Sequence, residues 1–207
     1  MAAESGASYS LVMNATFLPV AEPKRQATYD DVLAAPEHKV AEILDGELFL
    51  SPRPANPHAR ASSVLGIQIG GPFDREPGDP AQPGGWLLLF EPELHFGQDV
   101  VVPDLAGWRR ERMARIPDAP WFELAPDWLC ETLSPSTARI DRGRKLRIYA
   151  REGVRHVWLL DPIARTLEVL ALEGHRWSIA AVHSGSGAVR AEPFAVIELD
   201  LARLWLD

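Results

Sequence analysis

A mixed α+β domain with a bent mixed sheet is what this sequence predicts, on three observations. Hairpin signals stand near both ends, with apolar runs flanking Asp45-Gly46 and Glu173-Gly174. Such dipeptides supply the positive φ that tight antiparallel turns need. Between them, 128–160 reads as strand, helix, strand, the order of a right-handed crossover joining parallel strands. Finally, 207 residues, 46% of them apolar and 24% charged, suffice for one ordinary core, and no repeat or linker divides them.

Residues 1–26 are small, polar and proline-containing, without a clear period. They predict a flexible N-terminal arm ahead of a single domain over 27–207. A short helix is expected over 28–36, with Thr28 capping it and Asp31 as the reciprocal partner. The first hairpin covers 39–51 and is ended by Pro52, Pro54 and Pro57. A helix over 58–70 carries Val64, Leu65, Ile67 and Ile69 and stops at Gly70-Gly71-Pro72. The Pro-, Gly- and Asp-rich stretch 74–85 is a surface loop.

One or two strands are expected over 86–90 and 94–96, then a short buried strand over 100–102 ending at Pro103-Asp104. Residues 105–108 would continue that strand after an irregularity, because Pro103 cannot donate to a ladder. A basic helical turn or two follows over 109–116, and a buried strand over 128–133. A helix over 139–152 is stopped by Gly153. The strand 154–160, the hairpin 166–172 with 176–182, and a strand end plus short helix over 197–206 complete the chain.

The net charge of −8 argues against a general nucleic-acid coat protein but not against an enzyme with one basic face. Cys130 is the single cysteine, so no internal disulfide forms and a reducing, cytoplasmic setting is expected. No apolar run approaches the length of a membrane span, so no membrane partner is expected. No basic region precedes the first apolar residues, so no signal peptide is expected either.

Single polar groups at the ends of apolar runs are the unusual feature. Asp104 follows Val100, Val101, Val102 and Pro103; Glu131 follows Trp128, Leu129 and Cys130; Lys145 lies in the next helix. Two carboxylates and an amine on buried elements are expensive to hold together without a purpose. Hard divalent cations take a few carboxylate oxygens plus water. A metal so held polarises phosphate oxygens and acidifies water, and an amine beside it can stabilise charge on a phosphoryl group. Each residue alone has an ordinary explanation: Pro-Asp recurs at Pro117-Asp118 and Pro126-Asp127, and a strand-end Glu or a helical Lys is usually solvated.

The combination is more specific. EILDGELFLSP at 42–52, His58, VVVPDL at 100–105, DWLCETLSPST at 127–137 and RGRKLRIYAREGVRHVWLLDP at 142–162 stand in that order. Over about residues 28–200 the chain thereby resembles the PD-(D/E)XK nuclease superfamily, and more narrowly the bacterial restriction-endonuclease family of the Uma-two type. The resemblance implies a restriction-endonuclease-like core with flanking helices and added hairpins. It implies a metal-dependent endonuclease acting on DNA, with Mg2+ or Mn2+ as cofactor. Asp104 is then the motif aspartate and Glu131 the second acidic residue, with the backbone carbonyl of Thr132 as a further metal ligand. Where the superfamily has lysine two residues on, this chain has Leu133; in this family the lysine has moved to the following helix, and Lys145 is the matching position. Glu42 matches the family's early glutamate, an outer or second metal ligand or else a solvent-facing strand residue. His58 and Glu91, with Glu93 beside it, are candidate site neighbours; for His58 a capping role is the alternative. Cutting both strands implies a homodimer.

Charge adds weak independent support. From Arg139 to Arg155 the chain carries +5, so the remainder carries −13. Arg139, Arg142 and Arg144 are the candidate nucleic-acid contacts, with a second cluster at Arg109, Arg110, Arg112 and Arg115. Two other readings compete: a catalytically silent nucleic-acid-binding or regulatory domain that keeps the fold, and a different metal enzyme using His58, His95 and carboxylates. No His pair at i, i+4 supports the latter. The intact trio Asp104, Glu131 and Lys145 favours the nuclease over the silent domain.

Overall fold

The computed structural model describes residues 25–78 and 82–205; the expected N-terminal arm falls almost entirely outside them. In chain order its elements are α1 (Tyr29–Leu33), β1 (Lys39–Leu44), β2 (Glu47–Pro52), α2 (Asn56–Phe73), β3 (Trp86–Phe90), β4 (Leu94–Phe96), β5 (Asp99–Val101), β6 (Leu105–Arg109) and β7 (Trp128–Thr132). Then come α3 (Ala138–Ile140), a π-helical turn (Asp141–Lys145) and α4 (Leu146–Arg151). β8 (His156–Asp161), β9 (Thr166–Glu173), β10 (Arg176–Ser184), β11 (Ala188–Val189), β12 (Leu199–Asp200) and a 3-10 turn (Leu201–Leu204) follow. The class is the expected mixed α+β.

Local chemistry explains the boundaries. Thr28 donates its N–H to the Asp31 carboxylate at 2.8 Å and starts α1. Asp45 and Gly46 take φ of 54° and 76°, closing the first hairpin in register from Lys39↔Pro52 to Leu44↔Glu47. The second hairpin pairs Thr166↔Ser184 through Glu173↔Arg176.

The expected mixed sheet is the largest of three sheets among the described residues, the smallest being the two-stranded β11-β12. β2-β1-β5-β4 form an antiparallel sheet, and β10-β9-β8-β7-β6-β3 form a larger one. In the larger sheet β7 and β8 run parallel, joined by the α3–α4 crossover. The 100–108 stretch does not continue as one strand with an irregularity: β5 belongs to the small sheet and β6 to the large one. Val102-Pro103-Asp104 is the step between them, where Pro103 has no N–H for either ladder. Residues 109–116 form a hydrogen-bonded turn rather than a helix, with Met113 N–H donating to the Arg109 carbonyl at 3.0 Å.

The large sheet is covered on both faces, so β7 is buried along its whole length. Alternation sends Trp128 and Cys130 into the core under α2, with Leu65, Ile69, Trp158 and Phe194. It sends Leu129 and Leu133 to the other side, with Trp108, Ile148, Tyr149 and Val157. Glu131 shares the second direction and Thr132 the first. Cys130 is fully buried, and burial pushes its thiol well above the ordinary range; it is a small core hydrophobe, not a nucleophile.

Candidate active site

The step between the sheets sets the site. Asp104 stands at its end, and its backbone carbonyl accepts from Glu91 N–H at 3.0 Å. The Asp104 side chain is held twice. Oδ2 accepts the Thr132 N–H at 2.7 Å, and Oδ1 lies 3.2 Å from His58 Nε2. His58 comes from the first turn of α2, and one turn further on Ser62 Oγ lies 2.8 Å from Thr132 Oγ1. The start of α2 is thereby tied to the end of β7.

Glu131, on the opposite face of β7, meets the crossover helix. Its Oε1 accepts from Tyr149 Oη at 2.5 Å and from Lys145 Nζ at 2.9 Å. Lys145 Nζ also lies 2.9 Å from Glu42 Oε1, 3.2 Å from the Val102 carbonyl and 3.8 Å from Asp141 Oδ1. Glu42 Oε1 in turn accepts the Val102 N–H at 2.8 Å. Lys145 thus bridges the small sheet, the step and the large sheet from the end of the π-turn. π-turns of this kind often mark functional sites.

The charge balance is lopsided. Lys145 is 3% exposed and Glu131 2% exposed, in a cleft lined also by Glu42, Asp104, Asp141 and Glu91. Burial works against the Lys145 charge, but Glu131 and Glu42 outweigh it and hold the ammonium above its ordinary range. Burial pushes the Glu131 carboxyl up, Lys145 pulls against it, and the neighbouring carboxylates add to the rise. Asp141 is raised to about 6, again chiefly by burial. For His58 burial lowers the value, yet the Asp104 carboxylate raises it further and the net shift is upward. More carboxylates than cations line this cleft, an arrangement suited to a positively charged ligand.

Among the described residues no cluster of three or more His, Cys, Asp or Glu side chains forms a ready-made metal cage. The lining side chains offer hard oxygens, the carboxylates of Glu42, Glu91, Asp104, Glu131 and Asp141. Two carboxylates with water and a substrate phosphate completing the shell is the usual arrangement for magnesium. The Tyr149 and Lys145 contacts on Glu131 both fall on Oε1.

The other expected residues divide clearly. Glu91 lines the cleft at φ 45°, with Arg53 Nη1 3.8 Å away. Glu93 is elsewhere, accepting from Tyr29 Oη at 2.8 Å and lying 2.7 Å from His95 Nε2. His95 stacks on Trp121 and takes no part in the cleft. Arg142 forms a two-pronged ion pair with Glu168, and Arg144 pairs with Glu47 at 2.7 Å. Arg139 is exposed on the helix that begins beside the cleft. The sequence places Tyr149 on one stripe with Asp141 and Lys145 by i, i+4 spacing but does not pair it with Glu131; Ser62 is not singled out, its available signal being the i, i+4 spacing from His58.

Comparison with known proteins identifies the family and the fold. The sequence model of the Uma2 family, described as "Putative restriction endonuclease", matches residues 27–202. Among solved structures the chain is similar to a protein from Anabaena variabilis ATCC 29413, described as a putative nuclease belonging to DUF820. The TM-score is 0.68 and the identity 24%, over 86% of this chain and 97% of that one. At that identity the likeness speaks for the fold. No curated protein matches.

Proposed function

Because the chain belongs to the Uma2 family, we propose that it is a divalent-metal-dependent endonuclease hydrolysing phosphodiester bonds of DNA. The observation that carries this is the buried Lys145 ammonium shared by Glu42 and Glu131 beside the tethered Asp104. Asp104, Glu131 and the Thr132 carbonyl would hold Mg2+ or Mn2+. When bound, the ion supplies charge neutralisation at the phosphate and a more acidic water.

The protein's own groups do the positioning. Thr132 N–H and His58 fix the Asp104 carboxylate from two directions. Lys145, fixed by three protein acceptors, offers a non-rotating positive charge next to the phosphate, where charge accumulates during attack. Glu42 keeps that ammonium in place and, as an outer ligand, adds negative charge on the metal side. Arg139, Arg142 and Arg144 contribute attraction for a polyanion. The unit that acts is the domain over 27–207, working as a homodimer so that both strands are cut, in a cytoplasmic setting.

The test is a cleavage screen on supercoiled, linear duplex and single-stranded DNA and on RNA, with Mg2+, Mn2+ or chelator. Metal-dependent cutting of DNA, abolished in Asp104→Asn, is expected. No cutting of any substrate, with DNA still bound, would favour the silent-domain reading instead.

A further inference from the structure

The core around Glu131 contains a group that the chemistry above does not use. Tyr149 is fully buried, its ring packed in the apolar cluster with Leu129, Ile148 and Val157. Its hydroxyl donates to Glu131 Oε1, the oxygen that Lys145 also reaches. We infer that Tyr149 is a positioning residue for Glu131: it fixes the rotation of the carboxylate so that Oε2 is the oxygen offered to a divalent cation. This rests on the metal-dependent reading of the site.

Three features of the surroundings support the role. The terminal torsion of a glutamate is broad, so a carboxylate without a directional donor is poorly aimed. Lys145 alone is a weak aim, because its ammonium is divided among Glu131, Glu42 and the Val102 carbonyl. The other carboxylates are aimed by backbone donors, Thr132 N–H on Asp104 and Val102 N–H on Glu42. Glu131 lies in β7, which is paired on both edges by β6 and β8. The amide next to it, Thr132 N–H, is committed to the Asp104 carboxylate, and the Tyr149 hydroxyl takes the place of a backbone donor on Glu131. A ring locked in the core cannot swing away, so the direction of that bond is fixed by packing.

The chain contains a matched control. Tyr29 Oη donates to Glu93 Oε1 at 2.8 Å, the same pair of groups outside the cleft. Mn2+ titration by calorimetry should show Tyr149→Phe binding about tenfold or more weaker than wild type, the size expected for losing a group that orients a metal ligand. Tyr29→Phe should bind as wild type does. Thermal melts identify folded variants, and a folded Tyr149→Phe with wild-type Mn2+ affinity would overturn the inference.

A second measurement needs no substitution at 149. The protein has three tyrosines, Tyr9, Tyr29 and Tyr149, so 3-fluorotyrosine labelling gives three 19F resonances, assignable with Tyr9→Phe and Tyr29→Phe. Adding Mg2+ should move the Tyr149 resonance and leave that of Tyr29 in place. A stationary Tyr149 resonance while calorimetry shows the ion bound would overturn the inference and leave the metal reading standing. Failure of the wild type to bind either ion would remove both together.

Discussion

Replacing Asp141 with Asn should make the protein more stable at neutral pH. Asp141 is 4% exposed, and burial raises its carboxyl from the ordinary 3.8 to about 6. Lys145, 3.8 Å away, and a hydrogen bond with Thr137 oppose that rise, while Glu42 and Asp104 add repulsion. Folding therefore favours the protonated carboxyl. Its stabilising contribution is fully present below about 3.8 and is lost as pH rises through about 6. At about 1.4 kcal/mol per pH unit of that gap, the ionised group costs roughly 3 kcal/mol at pH 7. Asn has nearly the same shape and no charge, and Lys145 keeps its two 2.9 Å partners. Asp141→Asn should thus gain roughly 3 kcal/mol, or about 6–12 °C in Tm for a domain of this size. Urea denaturation of both proteins from pH 4 to 8 measures it. The two stabilities should converge near pH 4 and separate through pH 6. Equal stability throughout, or a less stable variant at pH 7, would refute the reasoning. A carboxylate kept in the cleft wall at such a cost is a candidate for function rather than stability.

Three further outcomes follow from the same geometry. Lys145→Met should abolish cleavage and destabilise the fold by about 3–5 kcal/mol, because two buried carboxylates lose their common cation. Arg147→Met, an exposed partner of Asp45, should change little, and equal near-wild-type activity in both variants would sink the Lys145 role. Arg139→Ala should weaken DNA binding and lower the salt slope by about one, whereas Arg142→Ala should weaken it less because Glu168 already engages that side chain; reversed effects in a salt-dependent binding assay would contradict this. Gly107→Ala should cost about 1–3 kcal/mol by overpacking, since an added Cβ would lie 2.6 Å from the Leu88 side chain and 3.2 Å from the Trp86 ring; wild-type thermal stability would contradict it.

Much of the fold was legible because it rests on local signals. Asp45-Gly46 could form little but a tight turn, and the apolar run 128–130 needed cover on both faces. The split of 100–108 between two sheets was not legible, since sequence shows that Pro103 interrupts a ladder but not where the next residues find partners. The π-turn was equally hidden: Arg139 to Arg151 reads as one α-helical stripe whether or not a wider turn is inserted. The structure brings Glu42, Glu131 and Lys145 into direct contact, with Asp104 joined through the Thr132 amide. Charge counting along the helix gave no way to see that Glu168 and Glu47, distant in sequence, engage Arg142 and Arg144. The Tyr149–Glu131 bond is hidden for the same reason, since its two ends belong to different elements.

Mn2+ binding to the wild type, Asp104→Asn and Glu131→Gln, measured by calorimetry, tests most directly whether these two carboxylates form one cation site. Binding by the wild type, lost or greatly weakened in both folded variants, is the predicted result. Undiminished affinity in both variants, or no binding by the wild type, would contradict it.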